Sequence, residues 1–290
     1  MLDDATPPMS VEEFRLIRDL VHDHCGIYFQ DDSQHLLERR LGPRLAARAV
    51  HDWGEYYRFL RYHTSKKEEL EEIVERITTN ETYFFREMYQ LDALRDEILP
   101  ELHARKSRGK HLTIWSAGCS TGEEAYTAAI LVIESGLFAD WDVRVFGSDI
   151  SRRVLAAARK GAYGPVAFRG VDERHRRRWF REAEGKQQIR EEVRALCSFG
   201  RINLVDSDQI SVVGEVDVVL CRNVLIYFDH PARRRAVEAF QRKLVPGGYL
   251  LLGHSESLLN VSTAFELVHL KTAMVYRKPT RVPAPGGGSR

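Results

Sequence analysis

The sequence predicts an α/β domain built on a largely parallel sheet, preceded by a helical domain and interrupted by a smaller inserted piece. Three observations predict it. Apolar residues recur every three or four positions from Val11 to about Leu99. From Leu112 onward short apolar runs alternate with helical stretches, and residues 161–202 break that alternation.

In the first part, Phe14, Ile17 and Leu20–Val21 form one stripe, and Leu36–Leu37, Leu41 and Leu45 form a second. Leu70, Ile73–Val74 and Ile77 form a third, with Lys66, Lys67, Glu68, Glu69, Glu71, Glu72 and Glu75 around it. Ser10 and either Asp32 or Ser33 are the expected N-caps. On the helix expected from Ser33 to Val50, Arg39, Arg40, Arg44 and Arg48 fall about four residues apart. They form either a solvated face or a row that docks an acidic helical partner.

In the second part, Leu112–Ser116 reads as a strand, followed by a glycine-bearing loop and a helix, Glu123–Ser135. Val143–Ser148 is the next strand, followed by Asp149 and a helix through Arg159. Val216–Cys221 and Tyr249–Gly253 are further strands around a helix at Arg233–Leu244, and Phe265–Leu270 with Ala273–Tyr276 reads as a terminal hairpin. Within the insertion, Asp172–Arg181 is a basic helix, and Gln188–Val193 and Ala195–Phe199 are short strands. The expected domains are 1–88, helical; 89–110, a linker; and 111–278, with the insertion at about 161–202. Residues 279–290, rich in proline and glycine, form a tail expected to be disordered.

Composition narrows the function. The 43 basic residues nearly balance the 42 acidic ones, which argues against nucleic acid as a partner. No apolar run reaches the roughly 20 residues that span a bilayer, and MLDDATPPMS lacks the basic-then-apolar pattern of a secretory signal. A cytoplasmic location is expected. Cys25, Cys119, Cys197 and Cys221 make no CxxC pair and are expected as free thiols. His22, His24 and Cys25 have no second ligand cluster to answer them, so no metal is expected.

The segment Ile114–Glu124 is the first informative site. A strand turning through Gly118 and Gly122 into a helix brings backbone close to a ligand at the carboxyl edge of a sheet. Its spacing matches neither GxGxxG nor GxxxxGK[ST], so dinucleotide and nucleoside triphosphate sites are poorly supported. Glu123 and Glu124 would repel a pyrophosphate and suit a ligand carrying an ammonium or sulfonium charge. Asp149, at the end of the second strand, either accepts ribose hydroxyls or caps the helix that follows. Asn203-Leu204 and Arg222-Asn223 stand at further expected strand ends.

Four blocks resemble the chemotaxis receptor glutamate O-methyltransferases, the CheR family: Thr79–Arg86 (TNETYFFR), Ser116–Glu124, Cys221–Phe228 and Gly253–Glu256 (GHSE). The resemblance runs from about residue 10 to 277. It implies a Rossmann-like, S-adenosylmethionine-dependent methyltransferase sheet with a small antiparallel β-subdomain, preceded by an all-helical N-terminal domain. It also implies S-adenosylmethionine as methyl donor, S-adenosylhomocysteine as product, and glutamates in the helical cytoplasmic signalling region of methyl-accepting receptors as acceptors. A monomer that does not insert into the membrane is expected to meet the receptor arrays through its substrate. Asn80, Thr82 and Arg86 then face the methionine end of the cofactor, beside Gly118. Glu124 pairs with the methionine part, Asp149 takes the ribose hydroxyls, and Asn203 and Leu204 hold adenine with Arg222 and Asn223 nearby. Arg86 and Tyr227 match the residues that place the acceptor carboxylate. The loop within Phe180–Arg190 is about three residues shorter than in members that grip a receptor's C-terminal peptide, so independence of such a tether is expected.

The chemistry implied asks little of the protein as acid or base. A glutamate with a reference pKa of about 4.3 is already a nucleophile at neutral pH, and a sulfonium is an activated donor that requires no metal. Positioning should then dominate. Rival readings rest on single features. Gly253-His254-Ser255-Glu256-Ser257 looks like a damaged GxSxG elbow of a serine hydrolase. A degenerate fold that only senses the cofactor would not need the full set of Arg86, Asp149, Arg222 and Tyr227. No Asp/Asn-Pro-Pro-Tyr motif supports methylation of a base.

Overall fold

The computed structural model describes residues 7–280, so residues 281–290 of the expected tail lie outside the described residues. The chain divides into two compact units. The first runs to Thr79 and includes Tyr227–Ala232; the second comprises Asn80–Ile226 and the chain from Arg233 onward.

The first unit is helical, built from α1 (Val11–Cys25), α2 (Gln34–Arg48), α3 (Trp53–Tyr62) and α4 (Lys66–Ile77), with a 3₁₀ turn at Asp31–Ser33. Ser10 caps α1 in a reciprocal box: its hydroxyl accepts from Glu13 N, and Glu13 reaches back to Ser10 N. Ser33 is the residue before α2 but makes no side-chain cap. The stripes bury Phe14, Ile17, Val21, Leu37, Leu41, Ile73, Val74 and Ile77, joined by Trp53 and Tyr56 of α3. An antiparallel bridge between Ile27 and Phe228 brings Tyr227–Ala232 into this unit, and Tyr28 N donates to Tyr227 O at 2.9 Å.

Glu69, one of the charged residues around the α4 stripe, is 0% exposed. Arg44 donates to both its oxygens, at 2.8 and 2.6 Å, and Arg48 and the Tyr56 hydroxyl complete its shell. A buried carboxylate needs such partners. Arg44 is therefore turned inward, and Arg39 to Arg48 do not form one solvent-facing row.

The second unit opens with a continuous helical run of α5 (Met88–Ala93), a π turn at Leu94–Ile98 and α6 (Leu99–Lys106). Then follow β1 (His111–Ala117), α7 (Glu123–Ser135), β2 (Asp142–Asp149) and α8 (Arg152–Lys160). The insertion holds β3 (Ala162–Tyr163), α9 (Glu173–Trp179), β4 (Phe180–Ala183), β5 (Lys186–Ile189) and α10 (Glu191–Arg194). After it come β6 (Cys197–Arg201), α11 (Ser207–Ser211), β7 (Val216–Cys221), α12 (His230–Lys243), β8 (Leu244–Leu252), β9 (Glu266–His269) and β10 (Met274–Arg277). The first residues of α12 count with the first unit.

Seven strands form the main sheet in the order β6-β2-β1-β7-β8-β10-β9. The first five are parallel, and β10 and β9 close one edge antiparallel. Strands β1, β7 and the apolar stretch of β8 are buried nearly throughout, which is why they read as continuous apolar runs. Chain order reverses on either side of β1, and in open α/β sheets ligands bind beyond the carboxyl ends of the strands at such a switch point.

A separate antiparallel sheet, β3-β5-β4, forms the small subdomain. Glu184 and Gly185, both with positive φ, join β4 to β5 in a two-residue hairpin turn. Two expected strands there need correction. Residues 188–193 split into the end of β5 and α10, and Ala195–Phe199 is largely β6, which pairs parallel with β2 in the main sheet. Among the described residues no helix is long and apolar enough to cross a membrane.

Candidate active site

The candidate site is assembled from the ends of β1, β2, β6 and β7 and from the segment before α5. The loop after β1 wraps the end of β2: Gly118 N and Cys119 N both donate to Ser148 O at 2.8 Å. Gly118 has φ +84, and a Cβ there would lie 2.4 Å from Val224 Cγ2, so both conformation and space demand glycine. Ser120 N donates to Asp149 Oδ2 at 2.9 Å, and Ser120 Oγ donates to Asn80 O at 3.4 Å.

Asp149 is 8% exposed, and its Oδ1 accepts from Ser151 N at 3.0 Å. The cap of α8 is Ser151, whose hydroxyl accepts from Val154 N. The capping alternative for Asp149 therefore falls to its neighbour. Asn203 and Leu204 are buried directly after β6, where Ile202 N donates to Asp149 O at 3.1 Å and Asn203 Oδ1 accepts from Val205 N at 3.2 Å.

Arg222 is the hub of the site, its side chain only 3% exposed. Nε donates to Gln90 Oε1 at 2.7 Å and Nη1 to Glu124 Oε2 at 3.2 Å, while Nη2 serves Arg86 O and Glu87 Oε2. Gln90 in turn donates to Leu252 O at 2.6 Å. Asn223, in the left-handed region at φ 60, donates from Nδ2 to Glu87 Oε1 at 3.3 Å. Arg222 thus joins the ends of β7 and β8 to α7 and to the residues around Arg86. The same web fixes the chain on which Asn223 stands.

Arg86 is half-buried, with Nη1 donating to Glu81 O at 2.8 Å and its guanidinium 5.8 Å from the Tyr83 ring. The neighbouring aromatic residues fix this segment. Phe84 packs among Tyr163, Phe168 and Phe180 with ring centroids 4.8–5.4 Å apart, and Phe84 N donates to Ala167 O. Thr82 is half-buried in the same stretch. Tyr227 belongs to the first unit, where the residue is 36% exposed.

The site is acidic. Glu123 is 3% exposed and accepts from the Thr121 hydroxyl, and burial raises its pKa. Burial also raises that of Glu124, although Arg222 and the Ser116 hydroxyl pull the other way. Glu87 is held lower: burial opposes its charge, but His254, Arg222 and Asn223 outweigh it. Buried carboxylates at a switch point, together with Asp149 on the second strand, fit a ligand that combines positive charge with a ribose diol. S-adenosylmethionine is such a ligand.

Sequence reasoning missed Glu87 and Gln90, and it missed what Glu256 does. Glu256 accepts from four backbone amides, those of Asn223, Gly253, Val224 and Ile226, at 2.6–3.2 Å. The GHSE block is therefore a carboxylate clamp. No helix follows Ser255, so the strand–serine–helix elbow of a hydrolase is not built. The available signal was an acidic residue three positions after a glycine that ends a buried strand.

The family comparison defines the class, an S-adenosylmethionine-binding methyltransferase. Residues 80–274 match the family model "CheR methyltransferase, SAM binding domain", and residues 12–78 match "CheR methyltransferase, all-alpha domain". The chain belongs to the CheR methyltransferase family. Chemotaxis protein methyltransferase 2 of Vibrio cholerae is 34% identical over 92% of this chain and 93% of its own. Chemotaxis protein methyltransferase 1 of Pseudomonas aeruginosa is 33% identical over 91% and 97%.

Proposed function

We propose that this methyltransferase esterifies glutamate side chains in the helical signalling region of chemotaxis receptors. The observation that carries the reading is the cluster of carboxylates at the switch point, Glu123 and Asp149 buried and Glu124 largely so, with a half-buried Arg86 tied to it through Arg222. Family membership and relatives named for chemotaxis support it.

In this reading Asn80, Thr82, Arg86, Gly118, Glu124, Asp149, Asn203, Leu204, Arg222 and Asn223 hold the cofactor. Bound there, S-adenosylmethionine supplies a methyl activated by its sulfonium. The residues supply placement. Asp149 takes the ribose hydroxyls, and Glu124 faces the charged methionine end. Arg86 offers paired N–H donors to the acceptor carboxylate, and the Tyr227 hydroxyl orients one of its oxygens. Arg86 must not bind the carboxylate too tightly, because negative charge is lost as the ester forms; equal binding of ground and transition states would not speed the step. No proton has to leave an acceptor ionised at neutral pH.

Arg39, exposed on α2, and Arg40 beside it are the docking residues this reading retains. Arg40 also donates to Ile77 O and to Thr79 Oγ1. Arg44 and Arg48 act through Glu69 instead, by holding α2 to α4. The tight Glu184–Gly185 turn supports independence of a receptor tether.

The test is S-adenosylmethionine-dependent labelling of candidate receptors, with the modified side chain mapped by mass spectrometry. Methyl esters on glutamates are expected, equally on receptors trimmed at the C-terminus. Arg86→Ala should lower kcat by about 100-fold, as loss of a positioning group does, whereas Arg39→Ala should act on receptor KM. Cofactor binding without methylation of any receptor would overturn the reading.

A further inference from the structure

We propose that Glu256 is a positioning residue for methyl transfer, fixing the backbone that leads from the candidate cofactor site to Tyr227. The proposal rests on the functional reading above. Glu256 lies just beyond β8, and its two oxygens divide four amides between them. Oε2 takes Gly253 N at 2.6 Å and Asn223 N at 2.8 Å; Oε1 takes Val224 N at 2.9 Å and Ile226 N at 3.2 Å. A carboxylate has about four acceptor positions. All are used on backbone, and three of the amides belong to the Asn223–Ile226 segment.

That segment carries the site. Arg222 precedes it and holds Glu124, Glu87 and Arg86 O. Val224 lies against Gly118, so a shift of Val224 displaces the glycine loop. Ile226 N is the last clamped amide, and the next residue is Tyr227. Asn223 adopts φ 60, a conformation a non-glycine residue holds only when its surroundings impose it. Gly253 allows the approach: a Cβ there would stand 2.8 Å from Asn223 N, Asn223 Nδ2 and Glu256 Oε2. Ordinary turn formation at the end of β8 requires none of this. Glu256 N donating to Gly253 O at 2.9 Å already closes that turn, so the side chain serves the other loop.

Glu256→Gln keeps the shape but offers one acceptor oxygen and an amide group that opposes two N–H donors. Glu256→Ala removes the clamp. At a temperature where each variant is shown to be folded, kcat for receptor methylation should fall about 10-fold in Glu256→Gln and about 100-fold in Glu256→Ala, the cost of a misplacement near 1 Å. Receptor KM should stay within about threefold, because docking is untouched. A purely structural role would lower the melting temperature and leave kcat per folded molecule unchanged, and that result overturns the proposal. Should neither variant fold, amide exchange in the wild-type protein decides: Asn223, Val224, Ile226 and Gly253 should exchange slowly, and exchange at unstructured-loop rates refutes the clamp. A wild-type protein that methylates no receptor would sink the functional reading, while the exchange result still judges the clamp.

Discussion

Glu69 shows how a charged residue can belong to a buried stripe. Positions 69, 73 and 77 share one face of α4, so Glu69 lies on the stripe made by Ile73 and Ile77. Its charge, amid Lys66–Glu75, points to solvent. Arg44 shares the buried face of α2 with Leu37 and Leu41 and meets it there. Burial alone would raise the Glu69 pKa, but hydrogen bonds from Arg44, Tyr56 and Arg48 outweigh it and hold the carboxyl below its usual range. Removing one partner of a buried pair strands the other, so Arg44→Ala should cost about 3 kcal/mol, the low end for such a break because Arg48 and Tyr56 remain. Arg39→Ala should stay within about 0.5 kcal/mol. The sign of the pH effect follows from the lowered value. The stabilisation is complete above the unfolded pKa of about 4.3 and is lost as pH falls through the lower folded value. Denaturant unfolding at a series of acidic pH values should show this loss in the wild type and a shallower one in Glu69→Gln. Equal slopes would remove Glu69 from the account.

Elements were legible where period and length agreed. Helix α7 and strand β7 carry the bounds expected of them, because one is bracketed by glycines and the other is a continuous apolar run. Strand β6 is the counterexample. A five-residue strand reads alike in an inserted hairpin or at a sheet edge, and only its parallel pairing with β2 settles the matter. The loop between β1 and α7 was legible as a strand-to-helix turn from its glycines, but the reason for Gly118 was not, since Val224 is about a hundred residues away. Two glycines separate conformation from space. Gly136 caps α7 at φ 66, and a Cβ added there would meet nothing within 4 Å, so Gly136→Ala should cost only the left-handed penalty of about 1 kcal/mol. Gly118→Ala adds a clash with Val224 and should cost about 3 kcal/mol in all. It should also weaken S-adenosylhomocysteine binding about tenfold or more, whereas Gly136→Ala should leave it alone. Thermal melts with calorimetric titration would measure both, and equal behaviour of the two variants would discount the Val224 contact.

Over the whole molecule, the helical period continues to about Leu99 and so hid the division between units, which falls between Thr79 and Asn80; most of the linker expected at 89–110 is helix of the second unit. The clamp of Glu256 and the web of Arg222 were not legible either, because each gathers residues far apart in sequence onto one carboxylate or one guanidinium. Whole-molecule charge bears on how the proposed receptor partner is found. With a net charge of +1, the protein has little long-range attraction for an acidic surface. Electrostatic docking must come from a local patch, and Arg39 and Arg40 are its proposed members. Exposed charges are screened beyond about 10 Å at 0.1 M salt. Raising salt from about 0.05 to about 0.5 M should therefore raise receptor KM several-fold while kcat holds. Arg39→Glu should raise KM at low salt and flatten its salt dependence, because reversing one exposed charge acts on encounter rather than on the reacting groups. Initial rates on receptor membranes across a salt series measure both quantities. A KM indifferent to salt, or an Arg39→Glu curve parallel to the wild type, would take α2 out of receptor recognition and leave its arginines to the packing of the helical unit.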